Sequence, residues 1–153
     1  MEKPVKQTGK RRLARELAIQ FLYQQDLNQQ PLPQAFASFW STQPSTSDDV
    51  RLFAEALIRG TLDHQPAIDE TIRKYTEHWE LERIAAVDRN ILRLAIYEML
   101  HRDDIPPVVS INEAVDIAKR FSTGESGGFV NGILDRFKND LTRPARIAAG
   151  PTE

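Results

Sequence analysis

The sequence predicts an all-α protein, a bundle of roughly six or seven helices. Apolar residues recur every three or four positions along most of the 153-residue chain, and no stretch convincingly alternates apolar with polar residues. The segments between these periodic stretches are short and rich in Pro, Gly, Ser and Thr, as connections between packed helices usually are. At this length we expect one domain with its own hydrophobic core.

The first predicted helix begins near Lys10 with the sequence KRRLARELAIQFLYQQ. Leu13, Leu17 and Phe21 recur at i, i+4 and i+8, with small and apolar residues beside them, which predicts a broad buried face. At about 100° per residue, the three arginines of this stretch fall within one arc away from that apolar row. We therefore expect the arginines to point outward together.

Positive charge is concentrated at the start of this helix, where it is least favourable. Residues 1–15 contain six Lys or Arg and one Glu, a local charge of +5 in a chain whose net charge is −2. Each cation at a helix N-terminus costs a few tenths of a kcal/mol, because the N–H groups there carry positive partial charge. A nucleic-acid phosphate would reverse that cost, and Arg11, Arg12 and Arg15 suit phosphates and bases. A solvated basic face is the alternative, and charge alone does not decide between the two.

The same spacing of apolar residues predicts several helices in the middle of the chain. A connector rich in Pro, Ser and Thr spans residues 31–49 and contains a short aromatic helix, QAFASFW. Helical spacing resumes over residues 50–62 and, beyond Pro66, over residues 68–75. Residues 79–102 are the most apolar candidate and are apolar on more than one face, which predicts a single central helix.

Two further helices complete the expected bundle. The sequence SINE, residues 110–113, is typical of a capping box that opens a helix. The last helix follows the turn STGESGG, whose amides could bind an anion, although a flexible turn is the simpler interpretation. Gly132 inside that helix costs about 1 kcal/mol relative to alanine, and we expect a close helix–helix contact to compensate. Residues 1–9 and 142–153 are expected to be flexible tails around a helical domain at residues 10–141.

Several classes of site are absent from the sequence. The chain has no cysteine, which excludes disulfides, thiolate zinc ligands and cysteine nucleophiles. His64, His78 and His101 are far apart and lack ligand-type spacing, so we interpret them as surface or capping residues. No Ser-His-Asp order, Walker-type loop or GxGxxG motif occurs. Without a secretory signal or a membrane-length apolar run, we expect a cytoplasmic protein with no metal or other cofactor.

Four stretches occur in order along the chain: RRLARELAIQFLYQQDL at 11–27, VDRNILRLAIYEML at 87–100, PPVVSINEAVDIAKRFS at 106–122 and SGGFVNGILD at 126–135. Together they resemble the NusB family of bacterial transcription antitermination factors. The resemblance covers nearly all of residues 10–141. It implies a NusB-like fold of two small helical bundles packed together, and an RNA-binding adaptor rather than an enzyme.

The resemblance also implies partners. NusB-like proteins bind the single-stranded boxA element of nascent ribosomal RNA leaders, as a heterodimer with the tenth small-subunit ribosomal protein, called NusE in this role. With NusA and NusG, that complex keeps RNA polymerase from stopping early on ribosomal RNA operons. We therefore expect this chain to bind RNA and act in transcription antitermination.

The resemblance carries over to individual positions of this sequence. The predicted RNA-binding residues are Arg11, Arg12 and Arg15 on the first helix, Lys119 on the SINE helix, and Glu125, Ser126 and Phe129 around the last turn. Tyr23 and Asp88 match positions expected to face the ribosomal protein. The family usually has a lysine directly before FVNG, where this chain has Gly128, so a cation is missing from the second half of the expected RNA path.

Two other function classes compete with antitermination. A NusB-like domain also begins certain ribosomal RNA cytosine methyltransferases, but that activity needs a nucleophilic cysteine, and this chain has none. The other class is a protein-interaction module whose arginines bind no RNA. Affinity for RNA distinguishes this module from the antitermination factor.

Overall fold

The computed structural model describes residues 7–76 and 81–141, and the described residues form helices and no strand. The helices are α1 (Gln7–Leu27), α2 (Leu32–Thr42), α3 (Asp48–Asp63), α4 (Gln65–Tyr75), α5 (Ala86–His101), α6 (Pro107–Phe121) and α7 (Ser126–Asp140), with a 3₁₀ turn at Leu81–Arg83. The predicted all-α class is confirmed. The predictions for His78, for residues 1–6 and for residues 142–153 lie outside the described residues.

The chain divides into two compact units, Met1–Arg59 and Gly60–Glu153. The first unit contains α1, α2 and most of α3, joined by an aromatic cluster. The ring of Phe21 on α1 stacks on Phe36 with centroids 4.7 Å apart and meets Phe39 edge to face at 5.4 Å. Such aromatic pairs stabilise a core beyond the apolar area that they bury.

The start of α1 is less covered than its centre. Every residue from 14 to 19 is buried, whereas residues 9–12 are half-buried. Leu13 is 39% exposed, so the prediction that it belongs to the buried row is wrong, although Leu17 and Phe21 are buried as expected. Its position explains this, because it lies next to the half-buried first turns of the helix.

In the second unit, the predicted long apolar helix is divided. The 3₁₀ turn precedes α5, which begins only at Ala86, so the prediction of one helix over residues 79–102 is wrong at its N-terminal end. Ala85 has an extended backbone conformation, with φ −52° and ψ 136°, which interrupts helical geometry. Arg89 compensates the interruption by donating hydrogen bonds to the carbonyl oxygens of Leu81 and Ile84 at 3.2 and 3.1 Å.

From Ala86 onward, α5 is the central helix that its sequence predicts. Leu92, Ile96 and Met99 are fully buried. The helix also buries a charge pair, in which the Arg93 guanidinium donates to both carboxylate oxygens of Asp69 on α4 at 2.7 and 3.0 Å. This bidentate ion pair fixes α4 against α5 with a defined geometry.

The capping-box prediction for SINE is wrong. Helix α6 begins three residues earlier, at Pro107, because proline suits the first helical position, where its missing N–H leaves no bond unmade. Ser110 therefore lies inside α6. It is buried and donates a hydrogen bond of 2.9 Å to Glu98 on α5.

Close helix contact occurs at a different glycine from the one predicted. Gly132 is exposed, and no described atom outside its own helical turn lies within 4 Å of a Cβ built there, so the expected close contact is wrong. At Gly60 near the end of α3, by contrast, a Cβ would overlap the Tyr97 ring of α5. Any larger residue at that position would have to displace the end of the Tyr97 side chain.

Candidate nucleic-acid interface

The first candidate RNA-binding region is the start of α1, where an aromatic ring supports the arginines. The Arg11 guanidinium lies over the ring of Phe53 on α3, 4.4 Å from its centroid, and that of Arg15 lies 5.7 Å away. Cation–π contacts of this kind restrain long side chains that would otherwise be mobile. Phe53 was not predicted, since its spacing in the sequence is that of an ordinary core residue.

The three arginines differ in their access to solvent. Arg11 and Arg12 are half-buried, but Arg15 is only 4% exposed, so the prediction that all three point outward is wrong for Arg15. The reason is that α1 is covered around its whole circumference over residues 14–19. An RNA strand could reach Arg11 and Arg12 in this conformation, whereas Arg15 is buried, with its guanidinium near the Phe53 ring.

A nearby ion pair reduces the positive charge of this region. The Nζ atom of Lys10 lies 3.1 Å from Oδ2 of Asp49, in the first turn of α3. The hydrogen bond from Lys10 lowers the pKa of Asp49, so this carboxylate stays ionised beside the cation. The sequence shows no sign of this pairing, because the two residues are 39 positions apart.

The second candidate region is the turn between α6 and α7, which a hydroxyl network holds in place. Ser126 donates to Oδ2 of Asp88 on α5 at 3.0 Å. Its Oγ also lies 2.9 Å from Ser122 Oγ and 3.0 Å from Thr123 Oγ1. Since a hydroxyl carries one proton and a carboxylate only accepts, Ser126 accepts from these two neighbours. The network therefore joins both ends of the turn to α5.

The predicted residues of this region differ in burial, and therefore in what their side chains can contact. Ser126 and Asp88 are 4% and 7% exposed, so their side chains position the turn from inside. Glu125 and Lys119 are exposed, and Phe129 is half-buried. The stem of Lys119 lies over the start of α7, since a Cβ built on Gly127 would be 2.7 Å from Lys119 Cγ. The predicted residues of this unit thus lie around one turn.

Two cavities flank Phe129. One, of about 250 Å³, is lined by Arg83, Ile84, Ala85, Asp88, Thr123, Glu125, Ser126 and Phe129. The other, of about 320 Å³, lies along α7 and is lined by Tyr75, Thr76, Gly128, Phe129, Gly132, Ile133 and Arg136. Arg83 and Arg136 bring cations to this region that the sequence analysis missed, because neither lies near the turn in sequence or belongs to a cationic run.

Gly128 leaves room for the side chain that the resemblance expects there. The residue is exposed, and no described atom outside its own helical turn lies within 4 Å of a Cβ built at this position. Packing among the described residues therefore does not require glycine here, and a lysine would fit. The absence of the lysine changes the charge of this position and not its packing.

The residues predicted to face the ribosomal protein lie in different units. Tyr23 is a half-buried residue of α1 in the first unit, and Asp88 is a buried residue of α5 in the second. Because Asp88 is engaged by Ser126 and has little exposed surface, only a small part of it could contact another protein.

Two histidines that are distant in sequence lie together in the second unit. The rings of His64 and His101 stack with centroids 3.9 Å apart, and the Tyr97 ring lies 5.9 and 5.5 Å from them. Burial and the neighbouring His64 lower the pKa of His101. No group of three or more His, Cys, Asp or Glu among the described residues is arranged to hold a metal ion. Nor does any described helix have the length and hydropathy of a membrane span.

Comparison with known proteins places these regions in a family. The model of the NusB family matches residues 12–139. The transcription antitermination protein NusB of Thermodesulfovibrio yellowstonii is 45% identical over 140 residues, covering 86% of this chain and 93% of the relative. That name agrees with the prediction of an antitermination factor rather than an enzyme.

Solved structures agree with the sequence comparison. NusB of T. maritima superposes with a TM-score of 0.79 at 38% identity, over 94% of this chain and 96% of that one. A crystal structure of antitermination factors NusB and NusE in complex with double-stranded RNA contains a chain with a TM-score of 0.78 and 26% identity, over 86% and 98% of the two chains. The fold and the sequence therefore agree, and this chain belongs to the NusB family.

Proposed function

We propose that this chain is an RNA-binding transcription antitermination factor that binds the boxA element of nascent ribosomal RNA leaders together with NusE. In this role it supports processive transcription of ribosomal RNA operons, in a cytoplasmic assembly with NusA, NusG and RNA polymerase. The observation that carries the proposal is the family match over residues 12–139, which includes Arg12 and Arg15 of α1 and the turn before α7.

The chemistry of the first unit supports an RNA partner. Arg11 is held over Phe53 at 4.4 Å, so part of the entropy that a long side chain loses on binding is already lost in the free protein. Arg11 and Arg12 lie in the second turn of α1, which begins at Gln7, and their guanidinium groups can form charge-assisted hydrogen bonds with phosphates. Binding through such contacts should weaken steeply with salt.

The chemistry of the second unit supports contact with unstacked bases. Phe129 is half-buried at the first turn of α7, and a ring partly open to solvent is a surface on which a base can stack. Lys119, in the last turn of α6, adds a cation beside the start of α7, and the hydroxyl network around Ser126 holds the turn between the two helices. Bases can pack in this way only when they are unpaired, which favours a single-stranded element.

The test is a titration of fluorescently labelled RNA, followed by anisotropy, with and without NusE. The RNAs are a single-stranded boxA element, a scrambled strand of equal composition, and the boxA strand annealed to its complement. The duplex is needed because the related NusB–NusE complex was crystallised with double-stranded RNA. We expect the single-stranded boxA RNA to bind most tightly, and NusE to increase the difference.

Two results would contradict the proposal. Equal and weak binding of boxA and scrambled strands in the presence of NusE would remove the antitermination role, and a protein-interaction module would remain. Preference for the duplex would instead mean that base stacking at Phe129 is not used.

A further inference from the structure

The Asp88 carboxylate has one oxygen that no described group satisfies. Its Oδ2 accepts the hydrogen bond from Ser126, but its Oδ1 has no hydrogen-bond partner among the described residues, although it is shielded from solvent. A buried acceptor without a donor is costly, and for a charged group the cost is larger. Such an oxygen is a ready acceptor for the N–H group of a ligand.

The same carboxylate lines the cavity of about 250 Å³ beside the α6–α7 turn. The walls of this cavity include apolar groups from Ile84 and Ala85 and the ring of Phe129. A flat ring with hydrogen-bond donors on its edge matches apolar walls and a buried acceptor. A single unstacked nucleobase has that shape and chemistry.

The charges around the cavity discriminate between occupants. Two acidic residues, Asp88 and Glu125, line it against one cation, Arg83, so the net negative charge disfavours a phosphate group. A lysine or arginine side chain of a partner protein would have to share the space with Arg83, which also lines it. A base is uncharged, and adenine, cytosine and guanine each carry an exocyclic amino group that can donate to Oδ1.

We infer that this cavity holds one base of the bound RNA and that Asp88 determines specificity there by accepting the amino group of the base at Oδ1. The inference rests on the proposed function and assigns Asp88 to RNA rather than to the ribosomal protein. Oδ1 is shielded from solvent in the free protein, so accepting from a base requires the carboxylate to rotate toward the cavity while Ser126 stays bonded to Oδ2.

The test combines the substitution Asp88→Asn with RNAs that each lack one amino group. The substitution keeps size and an acceptor for Ser126, but replaces the second oxygen by an NH2 donor. The RNA series replaces single guanosines by inosine, adenosines by purine riboside and cytidines by 2-pyrimidinone riboside. Wild-type protein should lose about tenfold in affinity at one position, since that change removes a hydrogen bond to a charged group. Asp88→Asn should show no loss at that position and unchanged losses elsewhere.

A second variant tests the cavity without touching the carboxylate. Ala85 is exposed at the cavity wall and has backbone angles open to any residue, so Ala85→Leu fills the space while keeping Asp88 and Ser126. We expect weaker RNA binding and loss of the amino-group effect at the same position. This variant also decides the question if Asp88→Asn does not fold, which circular dichroism would show.

Two outcomes would overturn the inference. In the first, wild-type and Asp88→Asn proteins lose affinity equally at every RNA position. In the second, Asp88→Asn keeps the wild-type RNA profile but binds NusE more weakly, which would place Asp88 at the protein interface. Failure of the proposed function is separate, because it shows as equal binding of boxA and scrambled strands. The amino-group series on whichever RNA binds still reports whether Asp88 contacts a base.

Discussion

The start of α1 and the turn before α7 are stabilised by different kinds of side chain. At α1, long arginine side chains lean on the Phe53 ring, and an exposed Lys10–Asp49 pair lies beside them. At α7, short hydroxyl side chains and the buried Asp88 carboxylate fix the backbone, and a cavity opens next to them. The first region offers charge with restrained mobility, whereas the second offers a rigid shape. A charged edge suits a phosphate backbone, and a shaped cavity suits a base.

The largest expected effect is on the free energy of unfolding when Arg15 is replaced, because Arg15 is buried and Arg12 is only half-buried. Arg15→Ala removes a buried side chain packed on Phe53, so we expect the free energy of unfolding to fall by about 2–3 kcal/mol. Arg12→Ala, at a half-buried position, should change it by less than about 1 kcal/mol and weaken RNA binding instead. Urea unfolding and RNA titration of both variants measure the two effects. Equal destabilisation would mean that the two side chains have the same structural role.

The second effect concerns the hydroxyl network before α7. Ser126→Ala removes the donor to Asp88 and leaves both oxygens of a buried carboxylate unsatisfied, so we expect a loss of about 1–2 kcal/mol. The matched control, Asp88→Asn, keeps an acceptor for Ser126 and should be close to wild type in stability. Thermal unfolding followed by circular dichroism compares the two. If Ser126→Ala were as stable as the control, the turn would be held by other contacts.

A smaller effect on stability and RNA binding should follow when a positive charge, like those at the start of α1, is added beside the turn before α7. Gly128→Lys places a side chain in open space and replaces a helical glycine, which should stabilise the protein by about 0.5 kcal/mol after the cost of a cation near the helix N-terminus. It should also strengthen RNA binding and steepen its salt dependence. Gly128→Gln, which adds similar bulk without charge, is the control. A change in affinity that is the same for both variants would exclude an electrostatic origin.

The smallest effect involves the histidine pair, at the opposite end of α5 from Asp88. The pKa of His101 is lowered by burial and by His64, so protonation is harder in the folded than in the unfolded protein. The stability contribution is therefore complete above the ordinary histidine pKa, near 6.5, and is lost as the pH falls below it. His101→Gln should reduce the loss of stability between pH 7 and 5, as measured by urea unfolding at each pH. Binding of RNA at pH 7 should be unaffected, because the pair is about 20 Å along the helix from Asp88.

Patterns within single helices could be predicted from the sequence, and contacts between helices could not. The spacing of Leu17 and Phe21 correctly predicted a buried face, because burial along one helix follows its period of 3.6 residues. The burial of Arg15 was not predicted, since helical periodicity gives the direction of a side chain but not what covers it. The split before α5 was missed because the apolar spacing continues across Ala85, where the backbone is extended.

The candidate site shows the same division. The arginine run is a local signal of the sequence, and the candidate region at the turn before α7 was predicted from the resemblance to the NusB family. The Phe53 support, the Asp88–Ser126 bond and the His64–His101 stack each join residues that are many positions apart. A single sequence has no periodicity that records such pairs. The cavity beside Phe129 is likewise a property of assembled helices, since its walls come from separate segments of the chain.

The buried pair of Arg93 and Asp69 constrains how this sequence can change over time. Replacing either residue alone leaves an uncompensated charge in the interior, which typically costs about 3–5 kcal/mol. Replacing both together by apolar residues of similar volume is often neutral. Two viable sequences are thus separated by intermediates that have lost much of their stability, so point mutation one residue at a time cannot easily pass between them. The ion pair that fixes α4 against α5 therefore also makes it difficult for either residue to be replaced during evolution.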